Sequence, residues 1–144
     1  MENIAISFTV TNKSQCSDLA LECWLDNDMF YDSVVQPGSI DIKYNFIEDE
    51  QQHTLKFVLK NKTAEHTKID ESGNILSDVV LELHDMNFDQ ISLDKILTEH
   101  AVYQHDFNGT KEQTQSKFYG TMGCNGAVTF EFASPFYMWL LENM

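Results

Sequence analysis

The chain has 144 residues, 42% of them apolar, and its nine basic and 23 acidic residues give a formal charge of −14. That length suits about one domain, spanning 1–144, which buries roughly two-thirds of its unfolded surface without needing a disulfide or a metal for its core. All nine basic residues are lysines, so the chain lacks the planar arginine fork and repels both nucleic-acid backbones and anionic membrane surfaces.

The N-terminal MENIAISFTV has neither the basic flank nor the apolar stretch of a secretory signal. No apolar run in the sequence approaches the roughly 18–20 residues that cross a bilayer. A soluble protein is expected, cytoplasmic by default or incorporated into a virion. The cysteines, Cys16, Cys23 and Cys124, are odd in number and form no CxxC pair, so an obligatory disulfide framework is not expected. A Cys16–Cys124 bridge stays open, while Cys23 reads as a small buried hydrophobe.

In chain order, Ile4, Ile6, Phe8 and Val10 alternate with polar residues and predict a half-buried strand. After a polar loop over 12–18, Leu19, Leu21, Cys23 and Leu25 repeat the pattern, with Trp24 facing the other side. Asp26-Asn27-Asp28 is a turn candidate, and Met29-Phe30-Tyr31 completes a hairpin. Pro37-Gly38 breaks the chain. Two further strand faces follow, Ile40, Ile42, Tyr44 and Phe46, then Leu55, Phe57 and Leu59, joined through the charged stretch 48–52.

Residues 61–74 are the most polar stretch, closed by a Gly73-Asn74 turn. Val79, Leu81 and Leu83 predict a strand, which 85–89 either ends in a turn or extends irregularly. Residues 92–99 predict one short helix, because Leu93, Ile96 and Leu97 share a face. Val102, Tyr103 and Phe107 are expected to return to the core, and 108–115 reads as a loop. The glycines of GTMGCNG permit a turn. Val128, Phe130 and Phe132 form the last strand, and Ser134-Pro135 starts a terminal helical turn striped by Phe136, Trp139 and Leu140. Many short strands with little helix predict an all-β fold: a jelly-roll-like β-sandwich of two antiparallel sheets with one or two short helical segments. A small barrel is the rival.

Asp26, Asn27, Asp28 and Asp32 form an oxygen-rich cluster of the kind that holds calcium, the alternative being an acidic hairpin turn. Asp85, Asn87 and Asp89 form a second cluster. His100 and His105 lie beside Glu99 and Asp106 with no diagnostic zinc spacing. The carboxylate pairs Glu22 with Glu82 and Asp85 with Glu131 have no cleft that sequence can show. Cys124 has no local base, and GTMGCNG lacks the ending of a phosphate loop. A non-enzymatic protein is expected. Aromatic faces beside acids and amides suit sugars, since rings cover apolar C–H faces while carboxylates accept from hydroxyls. Trp24 and Tyr31, with Asp28 and Asp32, are therefore the candidate ligand contacts. Phe130, Phe132, Phe136 and Trp139 are assigned to sandwich packing and to anchoring another protein subunit.

The run ALECWLDNDMFYDSVV, with HTLKFVLKNKT and SDVVLELHDMNFDQISL, resembles the calcium-dependent carbohydrate-binding modules of β-sandwich type. The resemblance spans about 4–93. It implies carbohydrate recognition without catalysis, calcium on Asp26, Asp28 and Asp32, and a sugar contact at Tyr31. The tail GCNGAVTFEFASPFYMWLLENM is not part of that pattern; it is similar to accessory structural proteins of tailed bacteriophages, which implies assembly or attachment. The expected partner is thus a neutral glycan, or alternatively a protein surface, a second copy included.

Overall fold

The computed structural model describes residues 3–16, 18–61, 67–105, 114–122 and 125–143. Strand β1 (Asn3–Asn12) turns Ile4, Ile6, Phe8 and Val10 inward, as their spacing predicts. β2 (Ala20–Leu25) and β3 (Asp28–Val34) form the first hairpin, and β4 (Gly38–Ile47) and β5 (Gln52–Lys60) follow. Next come a small ribbon of β6 (Thr67–Ile69) and β7 (Ile75–Asp78), then β8 (Leu81–Phe88), β9 (Ile91–Ser92) and helix α1 (Asp94–His100). β10 (Val102–His105), β11 (Thr114–Lys117), β12 (Thr121–Met122), β13 (Gly126–Ala133) and helix α2 (Phe136–Asn143) complete the chain.

Two antiparallel sheets form. One runs β12-β8-β1-β4 with β9 paired to β8; the other runs β11-β10-β13-β5-β2-β3. The arrangement is an all-β sandwich with two short helices. Its inner faces meet in a core rich in phenylalanine. Phe88 on β8 sits 4.5 Å from Phe136 of α2, 5.2 Å from Phe132 and 6.4 Å from Phe130 of β13, and 6.0 Å from Phe46 of β4. These edge-on and tilted contacts are favoured by ring quadrupoles over face-to-face stacks. They tie both sheets to the terminal helix. Where the sheets end at β3 and β4, Phe30 stacks on Tyr44 at 4.4 Å and covers that side.

The inward parity slips at two places. In β8, Leu81 and Leu83 point inward, but so do Met86 and Phe88. Asp85 takes a left-handed backbone with φ 56° and is the extra residue of a bulge against β1. An inserted residue exchanges the two faces, and aspartate tolerates this conformation better than most. Residues 85–88 therefore extend the strand, and Asp89, with φ 55°, begins the turn that follows. In β3, Cys23 stands opposite Tyr31 and Trp24 opposite Met29, with Phe30 unpaired between them.

Other expectations shift in detail. The polar stretch 61–74 holds strand β6 as well as its turn, where the Asp70 carboxylate accepts from the amides of Ser72 and Asn74. Gly73, at φ 85°, supplies the left-handed turn position that a side chain would strain. Val102 faces outward while Tyr103 is buried, and Ile40 is exposed near the start of an edge strand. Phe107, the 106–113 region and Cys124 lie outside the described residues. Cys16 and the buried Cys23 are free thiols, and burial pushes the Cys23 thiol upward.

Truncating Phe88 removes the ring that both sheets and α2 share. Phe88→Ala is expected to cost about 3–5 kcal/mol in urea unfolding. A loss below about 1 kcal/mol, the scale of an ordinary surface change, would contradict the central place given to this ring.

Candidate functional site

The three carboxylates and two rings expected to form a site do not come together as one cluster. Asp26 closes the β2–β3 turn with φ 54°. Its Oδ1 accepts from the Thr54 amide at 2.9 Å, and its Oδ2 lies 2.6 Å from His53 Nδ1. Asp28 is exposed at the start of β3, near enough to the half-buried Tyr44 that its charge, after burial itself, raises that phenol. Asp32 faces the outer side of the six-stranded sheet, 3.6 Å from Lys60 Nζ. The expected calcium trio is thus divided, Asp26 bound to His53 and Thr54, Asp32 near Lys60, and Asp28 near Tyr44. Among the described residues, no group of three or more His, Cys, Asp or Glu comes together to hold a metal ion. The second acidic cluster is likewise engaged: Asp85 meets His84, Asn87 donates to the Asp85 carbonyl, and Asp89 accepts from the Ala5 amide.

Tyr31 shares the inner side with Cys23 and packs half-buried against the core, which raises its phenol. Trp24 lies on the opposite, outer face. The bulge at Phe30 does not bring the two rings together, so they offer no common surface. On the outer face, the Trp24 indole N–H donates to Glu22 at 3.0 Å, and Lys56 Nζ stands 5.4 Å above the ring. Lys60 pairs with Glu22 at 2.6 Å and, ahead of the Trp24 bond, holds its carboxyl below the usual range. The proposed carboxylate pairs also separate. Glu22 is on the six-stranded face, whereas Glu82 pairs with Lys13 on the five-stranded one. Asp85 and Glu131 are divided in the same way.

A different constellation does form. The outer row Trp24, Lys56, Thr129 and Val102 crosses the six-stranded sheet in register. One pleat further along, Glu131 stands beside Thr54, and then Ala133 beside Gln52. There β10 has not yet begun, and the two helix ends fill the space. A groove of about 290 Å³ results, lined by Gln52, His100, Glu131, Phe132, Ala133, Trp139 and Asn143. Trp139 is half-buried, held against Phe130 at 5.5 Å and Phe136 at 5.9 Å. His100 meets its ring edge-on at 5.7 Å and lies 3.3 Å from the Asn143 carbonyl. Asn143 in turn donates to the Trp139 carbonyl at 2.7 Å. Two strand spacings and one pleat put Trp24 roughly 12 Å from Glu131 along the sheet, so groove and ring belong to one surface.

This groove was not legible in the sequence. The sequence reads Trp139 as packing or an anchor for another subunit, and its polar neighbours come from four separated segments. The one available signal was parity: Glu131 lies between the inward Phe130 and Phe132, and Gln52 precedes the inward His53.

His53 fixes the loops at this end. It is almost fully buried between Phe46 and Phe132, with its Nε2 2.8 Å from Asp49 Oδ1. Burial alone would lower the imidazole, but bonds to Asp26 and Asp49 overcome it and the net shift is upward. A carboxylate at each nitrogen favours the imidazolium form, in which both nitrogens donate. Asp49 is held low, first by the Gln51 amide and also by His53. The neighbouring Glu48 accepts from the Phe136 amide at 2.6 Å, and the Gln51 carbonyl accepts from the Ser134 amide at 2.9 Å. The β4–β5 loop therefore clamps the β2–β3 turn on one side and the start of α2 on the other.

No protein-family model, curated protein or solved structure matches this chain. No helix of the described residues is long and apolar enough to cross a membrane.

A histidine raised by folding stabilises fully below its ordinary value, near pH 6.5, and loses that contribution as the pH climbs through the raised one. The protein should therefore melt lower at pH 9 than at pH 6, and His53→Gln should flatten the difference. An equal gap between the two proteins at both pH values would show that His53 is not a charged clasp.

Proposed function

We propose that this β-sandwich is a non-catalytic recognition module for a neutral carbohydrate, bound in the α2 groove and along the outer sheet face toward Trp24. The observation that carries the reading is the groove's composition: one tryptophan ring set among two amides, one carboxylate and one imidazole. Its volume lies near the small end of known ligand clefts, about 300 Å³. An indole offers an apolar face to sugar C–H groups, while amides both donate and accept and a carboxylate accepts from hydroxyls.

Charge supports a neutral ligand. Both helices end at the groove, α1 at His100 and α2 at Asn143, and helix C-termini are electronegative. Together with Glu131 they make an acceptor-rich site that suits hydroxyl donors and disfavours anions. Among the described residues the lining includes a single carboxylate, whereas glycoside hydrolysis commonly works with a pair about 5–9.5 Å apart. That supports binding rather than turnover.

The test is a broad array of neutral glycans. Gln52→Ala/Glu131→Ala, made at two exposed positions, should weaken the binding by at least about tenfold, or ~1.4 kcal/mol, without moving the melting temperature. Trp24→Ala should weaken only longer oligosaccharides. Silence across the array, or binding indifferent to the double variant, contradicts the reading.

A further inference from the structure

Helix α2 is apolar on more than its inner side. Phe136 and Leu140 are buried and Trp139 faces the groove, yet Tyr137, Met138 and Leu141 are 38%, 61% and 76% exposed. Positions 137, 138 and 141 share one helical face, which turns away from the sandwich. A short helix is normally polar on that side, so this apolar face is not explained by packing. Neither does it serve the groove, which is built from the opposite flank of the same helix.

The surroundings of the face are acidic. Glu48 sits at the head of α2, bonded to the Phe136 amide. Asp89 lies at its flank and accepts from the Tyr137 hydroxyl at 2.9 Å. Glu142 follows Leu141 on the exposed side, and the helix sequence FYMWLLEN contains no basic residue. We propose that the outward face of α2 is a docking surface for a basic amphipathic segment of another protein, its apolar stripe on Met138 and Leu141 and its lysines or arginines over Glu48, Asp89 and Glu142.

Charge selects this occupant over a second copy. Another molecule of the same chain, at −14, would bring its own carboxylates against these three. Area argues for a segment rather than a whole domain face. Three exposed side chains fall well short of the roughly 800 Å² per partner of a standard stable interface, whereas laying one helix on another needs only a few anchors.

The probe is a helical peptide with a leucine stripe and lysine elsewhere, titrated by fluorescence anisotropy against the full chain. Its counterpart carries glutamate in place of lysine. The lysine peptide should bind and weaken with salt, and the glutamate peptide should bind at least tenfold more weakly. The deciding variant is Met138→Glu/Leu141→Glu, which adds negative charge while removing the apolar face. Simple attraction between opposite charges would leave the lysine peptide bound as tightly or more so; docking predicts at least a tenfold loss. Met138→Ser/Leu141→Ser should give the same loss if the acidic pair disturbs the helix. Undiminished peptide binding by both variants overturns the proposal. So does a concentration-dependent dimer, or adsorption to zwitterionic vesicles, that the variants abolish, since a second copy or a lipid surface would then be the occupant. Both variants should keep any glycan binding, so failure here is distinguishable from failure of the carbohydrate reading.

Discussion

The structure depends on the contact of Phe88 with rings from three directions. It is the point at which the five-stranded sheet, the six-stranded sheet and the terminal helix meet. It is the ring nearest Phe136, which Phe132 also meets, so it helps to set α2 and with it the place of Trp139 in the groove with Glu131 and Gln52. Packing energy, which is nondirectional, becomes geometric here because aromatic rings prefer edge-on approach and close-packed cores leave few alternative arrangements. The candidate site is thus a consequence of core packing, placed in part by buried rings of which Phe132 also lines it.

Polar interactions refine this arrangement from the end of the sandwich. The ring of His53 holds Asp26 and Asp49, and Glu48 and Gln51 hold the start of α2. A charged ring in a nearly dry position is costly unless both its protons are taken up, and here each nitrogen faces a carboxylate. Asp26, one of the acids that suggested a calcium turn, is therefore occupied in joining loops. The chain's large acidic excess has separate uses in different places: clamping turns, pairing with lysines across the outer face, and surrounding the exposed side of α2.

Period-two spacing made most of the architecture legible. Ile4 to Val10, Leu19 to Leu25 and Leu55 to Leu59 lie where alternation puts them, and the short helices fall on the two stretches whose apolar residues share a helical face. Alternation failed where a bulge inserted one residue. Asp85 exchanges the faces of β8, and the unpaired Phe30 puts Tyr31 on the side of Cys23 rather than beside Trp24. Nothing local announces a bulge, because its cause is the partner strand. The site was less legible still. Gln52, His100, Glu131 and Asn143 meet only because β10 starts late and α2 folds back, and His53 finds Asp26 at a separation of 27 residues. Such meetings are properties of the fold, not of spacing.

The central claim is that the outer face of the six-stranded sheet, from the α2 groove to Trp24, is where a ligand rests. Backbone amide shifts measured during titration with a neutral oligosaccharide test it most directly. The account predicts changes concentrated along Gln52 to Lys56, Thr129 to Ala133 and Asn143, reaching Trp24 with longer chains. Changes confined to the β3 edge around Tyr31, or to the outer face of the five-stranded sheet, would contradict it.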